Sequence, residues 1–360
     1  MTELFSHGGT VHAVARFLGV APGDILDFSA SINPLGPPAG VRQAVMAAFD
    51  QVVHYPDPDA FELRQAVAQR HHLPVENVRV ANGSTELIHL LPRLFPGSRA
   101  LIVAPPFSEY GAALARAGWE VHHHFLEPEE GFLLSLTKLE EQLSGGFDLL
   151  LLANPGNPTG ALIPLPTIAR LLELCRTLGT VPVIDEAFMD FCQEESAISL
   201  LLADGRGLIL RSLTKFFALP GLRLGYAVAP PDVIRRLAEL VPPWSVGTLA
   251  QAAGLAALAD DGYPARTCSL IIRERELLLS SLASLPGLRP YPSAANYLLV
   301  QLTSGLSAAT LRDKLLPQGI LIRDCGNFPG LDHRFFRVAV RSRQENERLS
   351  ALLALILGGV

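Results

Sequence analysis

A three-layer α/β domain with a mainly parallel sheet, followed by a smaller α+β domain, is the architecture predicted by this 360-residue sequence. Three observations predict it. Short, nearly continuous runs of Leu, Val and Ile, such as Leu149–Ala153 and Val181–Asp185, suit strands buried on both faces of a parallel sheet. Longer stretches with apolar residues three and four apart, such as Leu165–Leu178, alternate with those runs. After Pro242-Pro243-Trp244 the strands become sparser and the helices longer.

Residues 1–39, rich in Gly, Pro and Ser, read as an N-terminal arm; the segment DFSASINPLGPP at 27–38 has too many breakers for a helix. The large domain is expected over residues 40–242. In it, 78–80 is a strand leading into the turn Asn82-Gly83-Ser84-Thr85-Glu86 and then a helix. Arg99–Ala104 is a strand ending at Pro105-Pro106, with a helix at 110–117. Further strands are expected at 119–125, 147–153, Val181–Asp185, 208–211 and 222–228. The small domain, 243–360 with the arm added, would hold helices at 250–259 and 269–285, the second long enough to link the lobes. The segments 296–302, 311–315, 319–323, 335–340 and 344–357 complete an α+β set. No internal repeat is present.

Composition excludes several classes. At 49% hydrophobic, the chain buries too large a core to be disordered. A net charge of −6, from 29 Lys+Arg against 35 Asp+Glu, gives no basic footprint for nucleic acid. No apolar run approaches the roughly 20 residues of a membrane span. The opening residues lack the basic and apolar regions of a signal peptide, so a cytoplasmic enzyme is expected. Cys175, Cys192, Cys268 and Cys325 have no metal or redox spacing and read as free thiols. His122 and His124 would share a strand face, but with no acidic or thiol partner beside them they read as packing residues, and no metal is expected. His71-His72 closes a helix, where it would meet the C-terminal dipole.

Four features carry the chemistry, in one order: Asn157 within Asn154-Pro-Gly-Asn-Pro-Thr-Gly160, Asp185-Glu186-Ala187, Ser212-Leu213-Thr214-Lys215, and Gly221-Leu-Arg223-Leu-Gly225. Each follows or ends a predicted strand, and ligands of open α/β sheets bind beyond the carboxyl ends of the strands. A carboxylate ending an apolar strand needs a cation, which a protonated ring nitrogen would supply. A lysine beside hydroxyls and an arginine suits an imine-forming amine next to a phosphate, and Asn157 could bond a phenolic oxygen. Together these demands describe pyridoxal 5′-phosphate.

On these motifs the chain resembles, over essentially its full length, the fold type I, aspartate-aminotransferase-like pyridoxal-phosphate enzymes. The resemblance implies that Lys215 carries the cofactor and that Asp185 meets its ring nitrogen. It implies that Gly83, Ser84, Thr85, Ser212, Thr214 and Arg223 hold its phosphate, that Phe107 stacks on the ring and that Asn157 bonds O3′. Phe188 falls where many relatives carry a tyrosine for O3′. Tyr55, in His54-Tyr55-Pro56, resembles the tyrosine that reaches the neighbouring subunit's cofactor, which implies a homodimer.

The same resemblance gives Arg337 the substrate α-carboxylate and Arg323 a substrate phosphate. The segments His7-Gly8-Gly9 and 27–38 are similar to those of the threonine-phosphate decarboxylases, which make aminopropanol phosphate for the cobalamin nucleotide loop. By that likeness His7, Gly8 and Gly9 would help hold the substrate phosphate, and Asn33 would line the pocket near the carboxylate; Ser31 departs from the asparagine often found there. The expected reaction is decarboxylation of L-threonine O-3-phosphate. Rival readings are a histidinol-phosphate aminotransferase, which shares the core residues but typically lacks His-Gly-Gly, a serine-phosphate decarboxylase, and a non-catalytic sensor.

Overall fold

The computed structural model describes residues 8–358. Thirteen strands among them form three sheets: β1 Leu26–Asp27, β2 Val78–Asn82, β3 Arg99–Ala104, β4 Glu120–Phe125, β5 Leu149–Ala153, β6 Val181–Asp185, β7 Leu208–Ser212, β8 Leu224–Val228, β9 Leu288–Pro290, β10 Tyr297–Leu302, β11 Ile320–Leu321, β12 Arg323–Asp324 and β13 Phe335–Ala339. The large sheet has the order β2-β8-β7-β6-β5-β3-β4. Its neighbours from β7 to β4 are parallel, while β8 runs antiparallel to both β2 and β7. Because β8 is reversed, its start, and so Arg223, lies at the same edge as the ends of the other strands. β5, all Leu until its last residue, is buried on both faces as the apolar run requires.

The small sheet, β12-β13-β10-β9, is antiparallel, and β1 pairs with β11 in a separate parallel ribbon. The arm is thus hydrogen-bonded to the smaller lobe. The helix Thr248–Leu258 follows the expected boundary at Pro242 yet packs on the large-lobe helices Ala39–Ala48 and Phe61–Arg70. Gly254 allows this approach, since an added Cβ would come within 2.9 Å of Leu63. The chain therefore leaves the large lobe only with the helix Tyr263–Ala283. Among the described residues no helix is long and apolar enough to cross a membrane.

Two minor expectations change. Glu120 sits against His122, its Oε1 2.5 Å from Nε2, while His124 bonds Gln142. His71 is no cation at a dipole: burial pushes its imidazole down to about 3, and Nε2 bonds the Tyr226 hydroxyl at 2.7 Å. The four cysteines are free thiols.

Behind β7 lies a buried charge cluster in which Arg211, fully enclosed, meets Glu186 at 2.8 Å and Asp190 at 3.1 Å. Removing the cation leaves buried Glu186 without a charged partner and Asp190 with Arg70 alone, at 3.3 Å. Arg211→Met should cost about 3–5 kcal/mol in urea denaturation, and a loss below 1 kcal/mol would contradict a paired cluster.

Candidate active site

A cavity of about 610 Å³ opens where the ends of β5, β6 and β7 meet the N-terminus of the helix Gly83–Leu94. Asp185 ends β6, and Ser212 ends β7 and caps the four-residue helix Leu213–Phe216 that carries Lys215. Convergence of the four motifs thus follows from the strand order.

One end of the cavity is an anion cradle. Gly83 takes a left-handed φ of 75°, and an added Cβ would lie 2.8 Å from Arg223 Nη2, so only glycine lets the arginine close over the helix start. Gly225 is held by the same crowding, its would-be Cβ 2.3 Å from the Ser84 amide nitrogen. Ser84 and Thr85 face the cavity from this turn. Ser212 and Thr214 face it too, with their hydroxyls 2.7 Å apart.

At the other end Asp185 is buried, accepting hydrogen bonds from Tyr110 OH at 2.6 Å and Ala187 N at 2.9 Å. Burial pushes its carboxyl up to about 6 against those two bonds. Lys215 is pulled down to about 8 by burial first and then by Arg337 and Arg223. Phe107 lines the cavity and meets Tyr110 edge to face, with centroids 5.7 Å apart. Phe188 turns its edge to Tyr297, whose hydroxyl donates to Gly156 O at 2.6 Å. An anion cradle, a buried carboxylate lacking a cation and a partly neutral amine fit the phosphate, ring nitrogen and aldehyde carbon of pyridoxal 5′-phosphate.

Arg337 and Asn157 are linked, with Arg337 Nη1 donating to Asn157 Oδ1. Its Nη2 donates to Ser29 O at 3.1 Å, and its guanidinium lies 4.9 Å from the Tyr297 ring centroid. Its Nε and the Ser31 hydroxyl are buried polar atoms with no hydrogen-bond partner among the described residues, and both residues line the cavity. Gly8 and Gly9 line it as well; a Cβ on Gly8 would strike Ser29 O at 2.3 Å, and Gly9 N donates to Ser29 Oγ at 3.0 Å.

Three sequence-predicted residues are not brought to this cavity. Asn33 is turned into the protein, its amide donating to Phe216 O, Tyr263 OH and Thr267 Oγ1, because the Ile32-Asn33 turn packs beneath the Lys215 helix. Arg323 stands opposite Arg337 in the β12–β13 register, but its guanidinium donates to Asp324 O and Asn327 Oδ1 and lies over Phe328. Tyr55 is 80% exposed and stacks on Trp244 outside the cavity. His7 lies outside the described residues. Sequence reasoning missed Tyr110 as a partner of Asp185; its place one helical turn after Phe107 was the available signal. It also missed Ser29, Tyr297 and His12, the last of which lines the cavity. Among the described residues no three His, Cys, Asp or Glu are grouped to hold a metal ion.

Comparison with known proteins agrees with this geometry. The family model for aminotransferase class I and II matches residues 23–353. The threonine-phosphate decarboxylase of Salmonella typhimurium is 42% identical over 357 residues, covering 99% of this chain and 97% of that protein. The solved histidinol-phosphate aminotransferase of Clostridium acetobutylicum gives a TM-score of 0.87 at 28% identity, over 93% of this chain and 100% of that one. The L-threonine-O-3-phosphate decarboxylase of Porphyromonas gingivalis gives 0.82 at 28% identity, over 92% and 99%.

The burial of Asp185 sets a pH dependence. With its carboxyl raised to about 6 in the folded, cofactor-free protein, the neutral form is favoured, and stability present at low pH is lost as pH rises through that value. Asp185→Asn should remove a component on the order of 3 kcal/mol between pH 4 and pH 7. Chemical denaturation of both cofactor-free proteins checks this, and parallel pH profiles would contradict it.

Proposed function

The chain belongs to the aminotransferase class I and II family, and on that premise we propose that it is a pyridoxal 5′-phosphate-dependent carboxy-lyase. It decarboxylates L-threonine O-3-phosphate to (R)-1-aminopropan-2-yl phosphate and CO₂, for the cobalamin nucleotide loop. The observation that carries this reading is the 42% identity sustained over 99% of the chain, arm included, to a threonine-phosphate decarboxylase.

Bound pyridoxal phosphate supplies an electron sink for the pair released from a Cα bond held perpendicular to its ring. The Gly83 turn, with Ser84, Thr85, Ser212, Thr214 and Arg223, binds the cofactor phosphate. Asp185, its second oxygen fixed by Tyr110, holds the proton on the ring nitrogen. Phe107 fixes the ring plane, and the amide N–H of Asn157 donates to O3′, alone where Phe188 offers no hydroxyl. Lys215 Nζ would hold the cofactor through its aldehyde carbon and, as a free amine, would deliver to Cα the proton that replaces the carboxylate.

The choice of bond rests on how the substrate is gripped. Arg337, whose position is set by Asn157 and Ser29, binds the α-carboxylate with its remaining N–H groups. Gly8, Gly9 and His7 are assigned to the substrate phosphate; Arg323 would have to leave Asp324 O, Asn327 Oδ1 and the Phe328 ring to join them. Binding energy from that phosphate, remote from the reacting bond, fixes the Cα rotamer. Tyr55 is assigned to the partner subunit's cofactor phosphate in a homodimer; its exposure, with that of Trp244 stacked on it and of Met46 and Val53 close by in the chain, supports this. A cytoplasmic location belongs to the same reading.

The purified protein should be yellow and should release CO₂ from L-threonine O-3-phosphate with no keto acid present. Lys215→Ala should lose both the colour and the turnover. Absence of CO₂, with amino transfer from histidinol phosphate instead, would overturn the decarboxylase in favour of the aminotransferase that the Clostridium structure resembles.

A further inference from the structure

Residues 26–33 tie together two parts of the site that the sheets hold apart. One end of this strap belongs to the small lobe. Leu26 and Asp27 pair with Ile320 and Leu321, and Phe28 N donates to Leu321 O at 2.8 Å. Phe28 O accepts from Ala339 N at 2.9 Å, Ser29 O from Arg337 Nη2 at 3.1 Å, and Ser31 O from Asn296 Nδ2 at 3.0 Å.

Two residues further on, the strap grips the backbone that carries Lys215. Asn33 N donates to Lys215 O at 3.1 Å. Its amide nitrogen lies 2.8 Å from Phe216 O, and 2.9 Å from both Tyr263 OH and Thr267 Oγ1. The helix Leu213–Phe216 is one turn long, so its last carbonyls have no partners of their own within it. Asn33 supplies donors to two of them from outside, and it is 3% exposed.

We propose that Asn33 is a positioning residue for Lys215, transmitting the placement of the Arg337-bearing lobe through the strap to the Lys215–Phe216 peptide. Closure of the small lobe on a substrate carboxylate at Arg337 would pull Ser29 and, four residues on, the carbonyls behind Lys215. The strap then aligns the amine with Cα only when Arg337 is engaged. The inference rests on reading Lys215 as the cofactor-holding amine.

The test uses the cofactor-loaded enzyme, with rates normalised to the lysine-bound chromophore. Asn33→Ala should lower kcat about 10- to 100-fold with KM for L-threonine O-3-phosphate changed by less than about twofold. The pH midpoint of the chromophore, which depends on how the lysine is held, should move by about half a unit or more. Thr267→Val removes a partner of Asn33 without touching either carbonyl; it should lower the Tm yet leave the pH midpoint and kcat in place. If the alanine variant does not fold, Asn33→Ser, which keeps the backbone donor and a shorter side-chain one, should give a smaller shift in both quantities. A raised KM with unchanged kcat would return Asn33 to the substrate pocket and overturn the proposal. So would an unchanged chromophore and kcat in the folded variants. A wild-type protein without chromophore, or a coloured Lys215→Ala, would instead overturn the reading of Lys215 itself.

Discussion

Two ionisable groups of opposite kind are buried in one cleft without pairing with each other, and much of the remaining structure serves to keep them so. Asp185 is held by Tyr110 and Ala187, whereas Lys215 faces two arginines. Burial works against the charge on both, raising the acid to about 6 and lowering the amine to about 8. A direct ion pair would have quenched the amine as a nucleophile and occupied the carboxylate. Asp185 ends β6, and Lys215 lies three residues beyond the end of the neighbouring parallel strand β7 on the helix Leu213–Phe216, so both are anchored to the rigid sheet. In the proposed reading, bound pyridoxal phosphate would relieve both costs, its ring nitrogen offering the acid a cation and its aldehyde carbon a partner for the amine.

Around that pair the anion sites are separated by architecture. The cofactor phosphate site is built from backbone at a helix start and depends on two glycines that permit close approach, Gly83 under Arg223 and Gly225 under Ser84. On the small sheet the register sets Arg323 opposite Arg337, and of the two only Arg337 lines the cavity. The arm, hydrogen-bonded to the small lobe through β1, lets Gly8 and Gly9 close over Arg337 with no side chain in the way.

Much of this was legible in the chain. The apolar run of β5, and those of β3 after Arg99 and of β6 before Asp185, mark buried strands by composition alone, and the four motifs follow from where the strands end. What was not legible depends on contacts between distant residues. Asn33 sits in a motif that looks like a pocket loop, yet its partners Tyr263 and Thr267 lie 230 and 234 residues away and turn the amide inward. The Tyr110–Asp185 bond spans 75 residues. The helix Thr248–Leu258 looks like the start of a new domain because two prolines precede it, but only the packed structure reveals Gly254 against Leu63. His71 reads as a cation at a helix end until burial against Tyr226 makes it neutral.

The central claim is that this grip on the substrate directs cleavage to the Cα–carboxylate bond, with Lys215 Nζ supplying the replacing proton. Turnover of L-threonine O-3-phosphate in D₂O, followed by mass spectrometry of both product and recovered substrate, tests it directly. The account predicts a single deuterium on the former Cα of the aminopropanol phosphate and none in the recovered substrate. Deuterium at Cα of recovered substrate, with no loss of carboxylate, would show that the Cα–H bond is the one held for cleavage and would contradict it.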